Sequence, residues 1–324
     1  MELLRKYQEA LAGHLQEAVT LKEPVQLYEP VKYILSLGGK RLRPVLTLLT
    51  CDFFGTDFRR AMDAALALEL FHNFSLIHDD IMDNAPLRRG KETVHEKWDV
   101  NTGILSGDAM LILAYQLFEG YEPPMFRSLA KLFSKTAIEV CEGQQYDVDF
   151  ELRDDVTLAE YIQMIDFKTA VLVGAAMKMG AIVAGASESC QEEIYQFGRN
   201  LGIAFQLQDD YLDAFGDPKT FGKQVGGDII ANKKTFLYLT ALEKSDPKDA
   251  ASLQHLYSVH PSDASEKVAT VKQIFQQSGA AQATVEEIES YTNLAMEVLD
   301  RVALSEEKKQ HLRDFGAYLM NRTV

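Results

Sequence analysis

Apolar residues recur at three- and four-residue intervals along most of the chain, as in "LRKYQEALAGHLQEAV", "PVLTLLTCDFF", "AMDAALALELFHNFSLIH", "GDAMLILAYQLFEGY" and "LAKLFSKTAIEVCEGQQYDVDF". The spacing continues through "LAEYIQMIDFKTAVLVGAAMKMGAIVAG", "EEIYQFGRNLGIAFQLQDDYLDAFG" and "KTFLYLTALEK". This is helix periodicity, and no window of alternating β-branched residues competes with it. The expected fold is all-α. Helix breaks are expected at "LGGKRLRP", with Pro44 near the next helix start, and at "YEPPMF", "GASES" and "KSDPKD". The small residues from Gly174 to Ala186 predict close helix packing. Beyond about residue 245 the pattern predicts ordinary amphipathic helices without identifiable chemistry.

Two polar interruptions stand out. "SLIHDDIMD" carries Asp79, Asp80 and Asp83, and "FQLQDDYLD" repeats the pattern with Asp209, Asp210 and Asp213. If the first run continues as a helix, Asp79 and Asp83 share one face, His72 lies on the same stripe, and Asp80 is turned away. Neighbouring carboxylates repel in water and more so where water is scarce. An acidic run is usually a solvated face, but two superposable copies at the ends of apolar helices predict a site for a hard cation, chiefly Mg²⁺. Mg²⁺ commonly joins a few carboxylates to phosphate oxygens, so two such helices facing one another imply a phosphate or diphosphate substrate.

Basic residues surround both motifs. Lys40, Arg41 and Arg43 lie on the glycine turn that opens a helix, where free N–H groups favour an anion. Arg88 and Arg89 follow the first motif, and Lys168 with Thr169, then Lys223, Lys233 and Lys234, bracket the second.

Composition narrows the class. The chain has 324 residues, 47% of them hydrophobic, and a net charge of −15, which argues against nucleic acid as a partner. Cys51, Cys141 and Cys190 are widely spaced without a CxxC pair, fitting a reducing cytoplasm and neither a disulfide framework nor a thiolate zinc site. The start of the chain lacks the apolar core of a signal peptide. "TAVLVGAAMKMGAIVAGA" is interrupted by Lys178 and is read as a buried helix, so no membrane span is expected.

"GGKRLRP", "LIHDDIMDNAPLRRGKETVH", "FKTAVLVGAA", "FQLQDDYLD" and "FGKQVGGDIIANKKT", in this order over roughly residues 38 to 235, resemble the trans-isoprenyl (polyprenyl) diphosphate synthases of medium chain length. The resemblance implies a single helical domain over 1–324 of the isoprenoid synthase type, a bundle with a central cavity, acting as a homodimer. It implies Mg²⁺-dependent condensation of isopentenyl diphosphate with dimethylallyl, geranyl or farnesyl diphosphate, with three Mg²⁺ ions. Asp79, Asp83 and Asp209 would bind the metals, with Asp80, Asp210 and Asp213 supporting. Arg88, Lys168 and Lys223 would neutralise the leaving diphosphate, while Lys40, Arg43, His72 and Arg89 hold isopentenyl diphosphate and Lys233 closes over the site. Gln206, with the backbone near Lys168 and Thr169, would stabilise the allylic carbocation. Lys234 and Arg41 are expected as solvent-facing or supporting charges, and Gly226 and Gly227 as hinges.

Product length is a packing question below the first motif. Ser75 is small, and Phe74 and Phe71 lie about one helical turn of 5.4 Å further down. Short fifteen-carbon members of the family often carry bulk at both positions 74 and 75 or a longer first motif, and this sequence has neither. A twenty-carbon product is therefore expected over fifteen, with Phe74 as the main stop; the alternative is that these aromatics only pack a helix interface. Two other function classes remain open here, a terpene cyclase and a non-catalytic regulatory subunit. The second intact aspartate motif and the "GGKRLRP" turn favour condensation over both.

Overall fold

The structure is a computed structural model that describes residues 2–18, 21–217 and 225–320. Among the described residues it is almost entirely helical, as the periodicity predicts, with one two-stranded exception. The chain divides into two compact units, Met1–Ala137 with Ala175–Tyr195, and Ile138–Gly174 with Gln196–Val324. The helices of eight or more residues are α1 (Glu2–Ala18), α2 (Val25–Ser36), α3 (Leu42–Phe53), α4 (Met62–Met82), α5 (Val100–Gln116), α6 (Pro123–Leu152) and α7 (Leu158–Ile165). They continue with α8 (Val171–Val183), α9 (Glu188–Phe215), α10 (Phe236–Lys244), α11 (Pro247–Leu256), α12 (Ser265–Gln277), α13 (Ala280–Arg301) and α14 (Glu306–Met320).

In the first unit, α4 is buried around its whole circumference from Ala64 to Phe71. Alanine and leucine dominate that stretch and no β-branched residue occurs before Ile77, so propensity and burial agree. Each fully buried leucine contributes about 1.5–3 kcal/mol, which makes this helix the anchor of the unit. Small residues let its neighbours approach. A Cβ on Gly103 of α5 would lie 2.8 Å from Ile81, and one on Gly107 only 2.3 Å from the His78 ring. The small-residue helix α8 does the same against α3, where a Cβ on Gly180 would lie 2.2 Å from the Thr47 carbonyl oxygen. Among the described residues no helix is long and apolar enough to cross a membrane.

The end of α4 is built locally. Asn84 sits at φ 49°, its N–H donates to the Ile81 carbonyl at 3.3 Å, and the Ala85 N–H donates to the Asp80 carbonyl at 2.9 Å. This is the paired closure of a left-handed helix cap, which asparagine tolerates. The chain then turns back through β1 (Leu87–Arg88) and β2 (Lys91–Glu92), antiparallel with Arg88 opposite Lys91. Arg89 (φ 54°) and Gly90 (φ 74°) form the two-residue connection, both in the positive-φ region that such tight hairpins need.

The second unit packs α7 and its part of α9 with α10, α11 and α12 around Tyr161, Leu207, Leu237 and Phe275. Its main departure from the sequence reading lies between α7 and α8. "LAEYIQMIDFKTAVLVGAAMKMGAIVAG" carries helix periodicity throughout, and within it Asp166–Ala170 is a π-helical turn. The cause is long-range. The turn passes so close to α6 that a Cβ on Gly143 would lie 2.3 Å from the Lys168 nitrogen, and one on Gly202 of α9 would lie 2.7 Å from the Ala170 Cα. Arg199 grips the carboxylate of the buried Asp166 with two hydrogen bonds, one of 2.7 Å.

Candidate active site

At the end of α4 the Asp83 N–H donates to the Asp79 carbonyl at 2.8 Å, so helical geometry extends through Asp83 as expected. Asp79 is half-buried and Asp83 exposed, one turn apart, while Asp80 is buried. The hairpin that follows returns Arg88 to Asp80. Its Nε donates to both carboxylate oxygens, at 3.0 and 3.2 Å, and Nη2 donates again to Oδ1. Asp80 is thus engaged by a bidentate guanidinium, which explains how a carboxylate tolerates 1% exposure.

The "LGGKRLRP" turn breaks the chain as predicted, with Gly38, Gly39 and Arg41 all at positive φ before α3 begins. Arg89 donates to the Gly38 carbonyl, and its guanidinium fills the space a side chain at Gly39 would occupy. Arg43 Nη1 lies 3.2 Å from His72 Nε2, and Arg43 Nε is buried without a hydrogen-bond partner. Burial, reinforced by Arg43, Arg89 and Arg88, holds the His72 imidazole well below its ordinary pKa. His72 is therefore neutral; since Arg43 is only a donor, Nε2 accepts and Nδ1 carries the proton. Beneath these cations lies Glu69, 3% exposed and bonded by Asn73, with Arg41 Nε 3.9 Å from its carboxylate. Sequence reasoning missed Glu69 because it sits in the apolar run of α4. The Lys40 side chain is exposed.

In the second unit a cavity of about 160 Å³ is lined by Lys168, Thr169, Gln206, Asp209, Asp210 and Asp213, all predicted, together with Lys233. Asp147, Tyr161 and Asp228 also line it and were missed. Lys168 projects from the π turn to Asp147 Oδ2 at 2.5 Å, and Lys233 lies 4.0 Å from the same oxygen. Burial would raise the Asp147 carboxyl, but the two lysines outweigh it and hold it below the usual carboxylate range. Lys234 also lines the cavity, with a side chain 8% exposed that reaches Asp154 at 3.2 Å, so of the two expected places it takes the supporting and not the solvent-facing one. Lys223 lies outside the described residues.

Gln206 is oriented from both ends. Its Nε2 donates to Asp210 Oδ1 at 2.9 Å, and its oxygen, turned the other way, accepts from Thr169 Oγ1 at 3.2 Å. Tyr161 donates to the second oxygen of Asp210. Burial, then the charge of Asp228 with a smaller addition from Asp209, pushes the Asp210 carboxyl well above the usual carboxylate range against those two hydrogen bonds. Asp213 Oδ2 accepts the Asp228 N–H at 2.9 Å. Among the described residues no three acidic, His or Cys side chains converge into a ready-made metal cage. The arrangement fits Mg²⁺ in another way: crowded carboxylates whose mutual repulsion a divalent ion would relieve, beside lysines suited to the phosphate oxygens that complete its shell.

Comparison with known proteins agrees with this chemistry. Residues 24–277 match the family model described as polyprenyl synthetase. A short chain isoprenyl diphosphate synthase of Methanothermobacter thermautotrophicus is 36% identical, over 98% of this chain and 94% of its own. A crystal structure of a geranylgeranyl pyrophosphate synthase is 56% identical and superposes with a TM-score of 0.95 over 99% of both chains. A geranylgeranyl pyrophosphate synthase from Corynebacterium glutamicum, solved with isoprenyl diphosphate and magnesium, is 26% identical with a TM-score of 0.83, over 99% of this chain and 97% of its own.

Proposed function

Because the chain belongs to the polyprenyl synthetase family, with its all-α isoprenoid synthase fold, it is a Mg²⁺-dependent prenyltransferase, and we propose that it condenses isopentenyl diphosphate head-to-tail with an allylic diphosphate. Dimethylallyl, geranyl and farnesyl diphosphates are the starters, and a trans product of twenty carbons is favoured over fifteen. The observation that carries this reading is the cavity in which aspartates of the second motif meet Lys168, Lys233 and an oriented Gln206. Cyclase and regulatory-subunit readings have no comparable support.

Mg²⁺, three ions in this proposal, would when bound offset diphosphate charge and so supply a better leaving group. Asp79, Asp83 and Asp209 hold the metals, with Asp213 and Asp210 supporting. Asp80, already gripped by Arg88, acts chiefly by aiming that guanidinium. Arg88, Lys168 and Lys223 take up charge on the departing diphosphate. Lys40, Arg43, His72 and Arg89 hold isopentenyl diphosphate, for which the unpartnered Arg43 Nε is an available donor. As the allylic carbon–oxygen bond breaks, the Gln206 oxygen and the backbone near Lys168 and Thr169 present fixed dipoles to the cation. The alkene of isopentenyl diphosphate attacks that carbon, and the departing diphosphate takes the proton, so no protein nucleophile is needed.

We further place the protein in the cytoplasm as a homodimer forming a single synthase domain per chain. Three cysteines that form no disulfide support the compartment, and the exposed apolar side chains Val100, Ile104, Leu105 and Ile112 on α5 support the dimer.

For product length, Phe71 is 1% exposed and locked edge-on against Phe133, whose ring also meets Tyr115 and Phe118. Phe74 is less enclosed, its ring 4.7 Å from His78 and 5.6 Å from Phe71. Phe74 is therefore the adjustable floor and Phe71 its support. Chromatography of products from each starter is expected to give twenty carbons for the wild type, longer chains for Phe74→Ala and shorter ones for Ser75→Phe. Unchanged lengths in both variants would remove the floor from α4, and absence of condensation from every starter would remove the prenyl-transfer reading itself.

A further inference from the structure

Lys267 belongs to α12, in the region where the sequence pattern predicts no chemistry, yet it is only 3% exposed. Its ammonium donates to the Val259 carbonyl at 3.1 Å and to Asn232 Oδ1. A buried ammonium is retained only where fixed acceptors replace its water, and these two come from separate loops that it ties together. Asn232 sits at φ 58°, and its Nδ2 donates to His260 Nε2 at 3.1 Å, so both ends of its amide are engaged. The next two residues are Lys233 and Lys234, both lining the cavity.

The same helix also packs against the turn that begins this segment. Gly226 is at φ 83°, and a Cβ there would lie 2.8 Å from Val268, the neighbour of Lys267. From the other side the Asp213 carbonyl accepts the Gly226 N–H at 2.6 Å and its carboxylate accepts the Asp228 N–H. Residues 226–232 are thus gripped between an aspartate of the second acidic motif and two residues of α12.

We propose that Lys267 is a positioning residue for two lysines that line the cavity: by tethering the Asn232 side chain to α12 it sets where Lys233 and Lys234 enter the cavity. The inference rests on reading that cavity as a diphosphate site. The Asn232 and Lys233 N–H groups cap the preceding turn by donating to the Ile229 and Asp228 carbonyls at 3.2 and 2.9 Å, a left-handed closure that asparagine tolerates. The ammonium adds the tether to α12, so without it the turn loses that tether and the lysines shift.

Lys267→Met keeps most of the side-chain bulk and removes the charge. Titration calorimetry with pyrophosphate in the presence of MgCl₂ is expected to show binding about tenfold weaker than wild type, the lower end of what losing a supporting contact costs. The KM for the allylic diphosphate is expected to rise with it, while that for isopentenyl diphosphate stays unchanged, because Arg43 and His72 are untouched. Asn232→Gly, which adopts positive φ without strain, is expected to bind pyrophosphate more tightly than Asn232→Ala. A Lys267→Met protein that melts earlier but binds as wild type would make the contact merely structural and overturn the proposal. If that variant fails to fold by circular dichroism, equal affinities of the two Asn232 variants overturn it instead. A wild type that does not bind pyrophosphate with MgCl₂ would overturn the underlying diphosphate reading.

Discussion

Replacement of Asp209 by asparagine is expected to slow condensation by about 10³-fold at saturating Mg²⁺, the scale on which loss of one preorganised electrostatic contact to a developing charge is felt. Asp209 lines the cavity beside Asp210, and its negative charge contributes to the strain that raises the Asp210 carboxyl. Neutralising it relieves repulsion inside the resting protein while removing a carboxylate that the proposal assigns to the metal. Function and stability should therefore separate. The thermal midpoint is expected to hold or rise as turnover collapses, a combination that simple damage to the fold does not produce. Initial rates from labelled isopentenyl diphosphate, read beside a thermal melt, check it; turnover within tenfold of wild type would take Asp209 out of the metal set.

Gly143→Ala is expected to destabilise the protein by about 3 kcal/mol or more, at the upper end of what overpacking costs. The added Cβ would lie 2.3 Å from the Lys168 nitrogen, 2.7 Å from the Phe167 carbonyl carbon and 2.8 Å from the Lys168 Cα. All three are backbone atoms, so no rotamer change can make room. Either α6 or the π turn must move, and the π turn carries Lys168. Displacing that ammonium by about 1 Å would add a loss of about 10² in turnover beyond the loss of folded protein. Gly13→Ala is the control, because nothing lies within 4 Å of a Cβ there. It is expected to be neutral or stabilising by about 0.5–1 kcal/mol, since glycine inside a helix costs that much relative to alanine. Denaturant titration of the two variants checks both; a Gly143→Ala protein as stable and active as wild type would show that the π turn is not wedged there.

These two positions also mark what the sequence reveals. Asp209 belongs to a repeated local pattern, and local patterns are legible: helix periodicity, the glycine break before α3 and both acidic motifs fall where the residues predict. Gly143 has no such signature. It sits in an ordinary amphipathic helix, and its meaning depends on a turn more than twenty residues away. The π turn is hidden for the same reason, because Asp166–Ala170 keeps apolar spacing compatible with an α-helix and only Gly143, Gly202 and Arg199 force the extra residue. Asp147, Tyr161 and Asp228 were invisible since each acquires its role from partners elsewhere in the chain: Lys168 for the first, Asp210 for the second, Asp213 for the third. Lys267 is the sharpest case. As a lysine in an amphipathic helix it reads as solvent-facing, and only burial against Asn232 distinguishes it.

Incorporation of isopentenyl diphosphate into farnesyl diphosphate, followed before and after chelation of Mg²⁺ in one reaction, bears most directly on the roles given to the aspartates of both motifs. The expected result is a twenty-carbon diphosphate formed with Mg²⁺, no product once the ion is removed, and recovery when it is restored. Turnover that persists undiminished under chelation would contradict them.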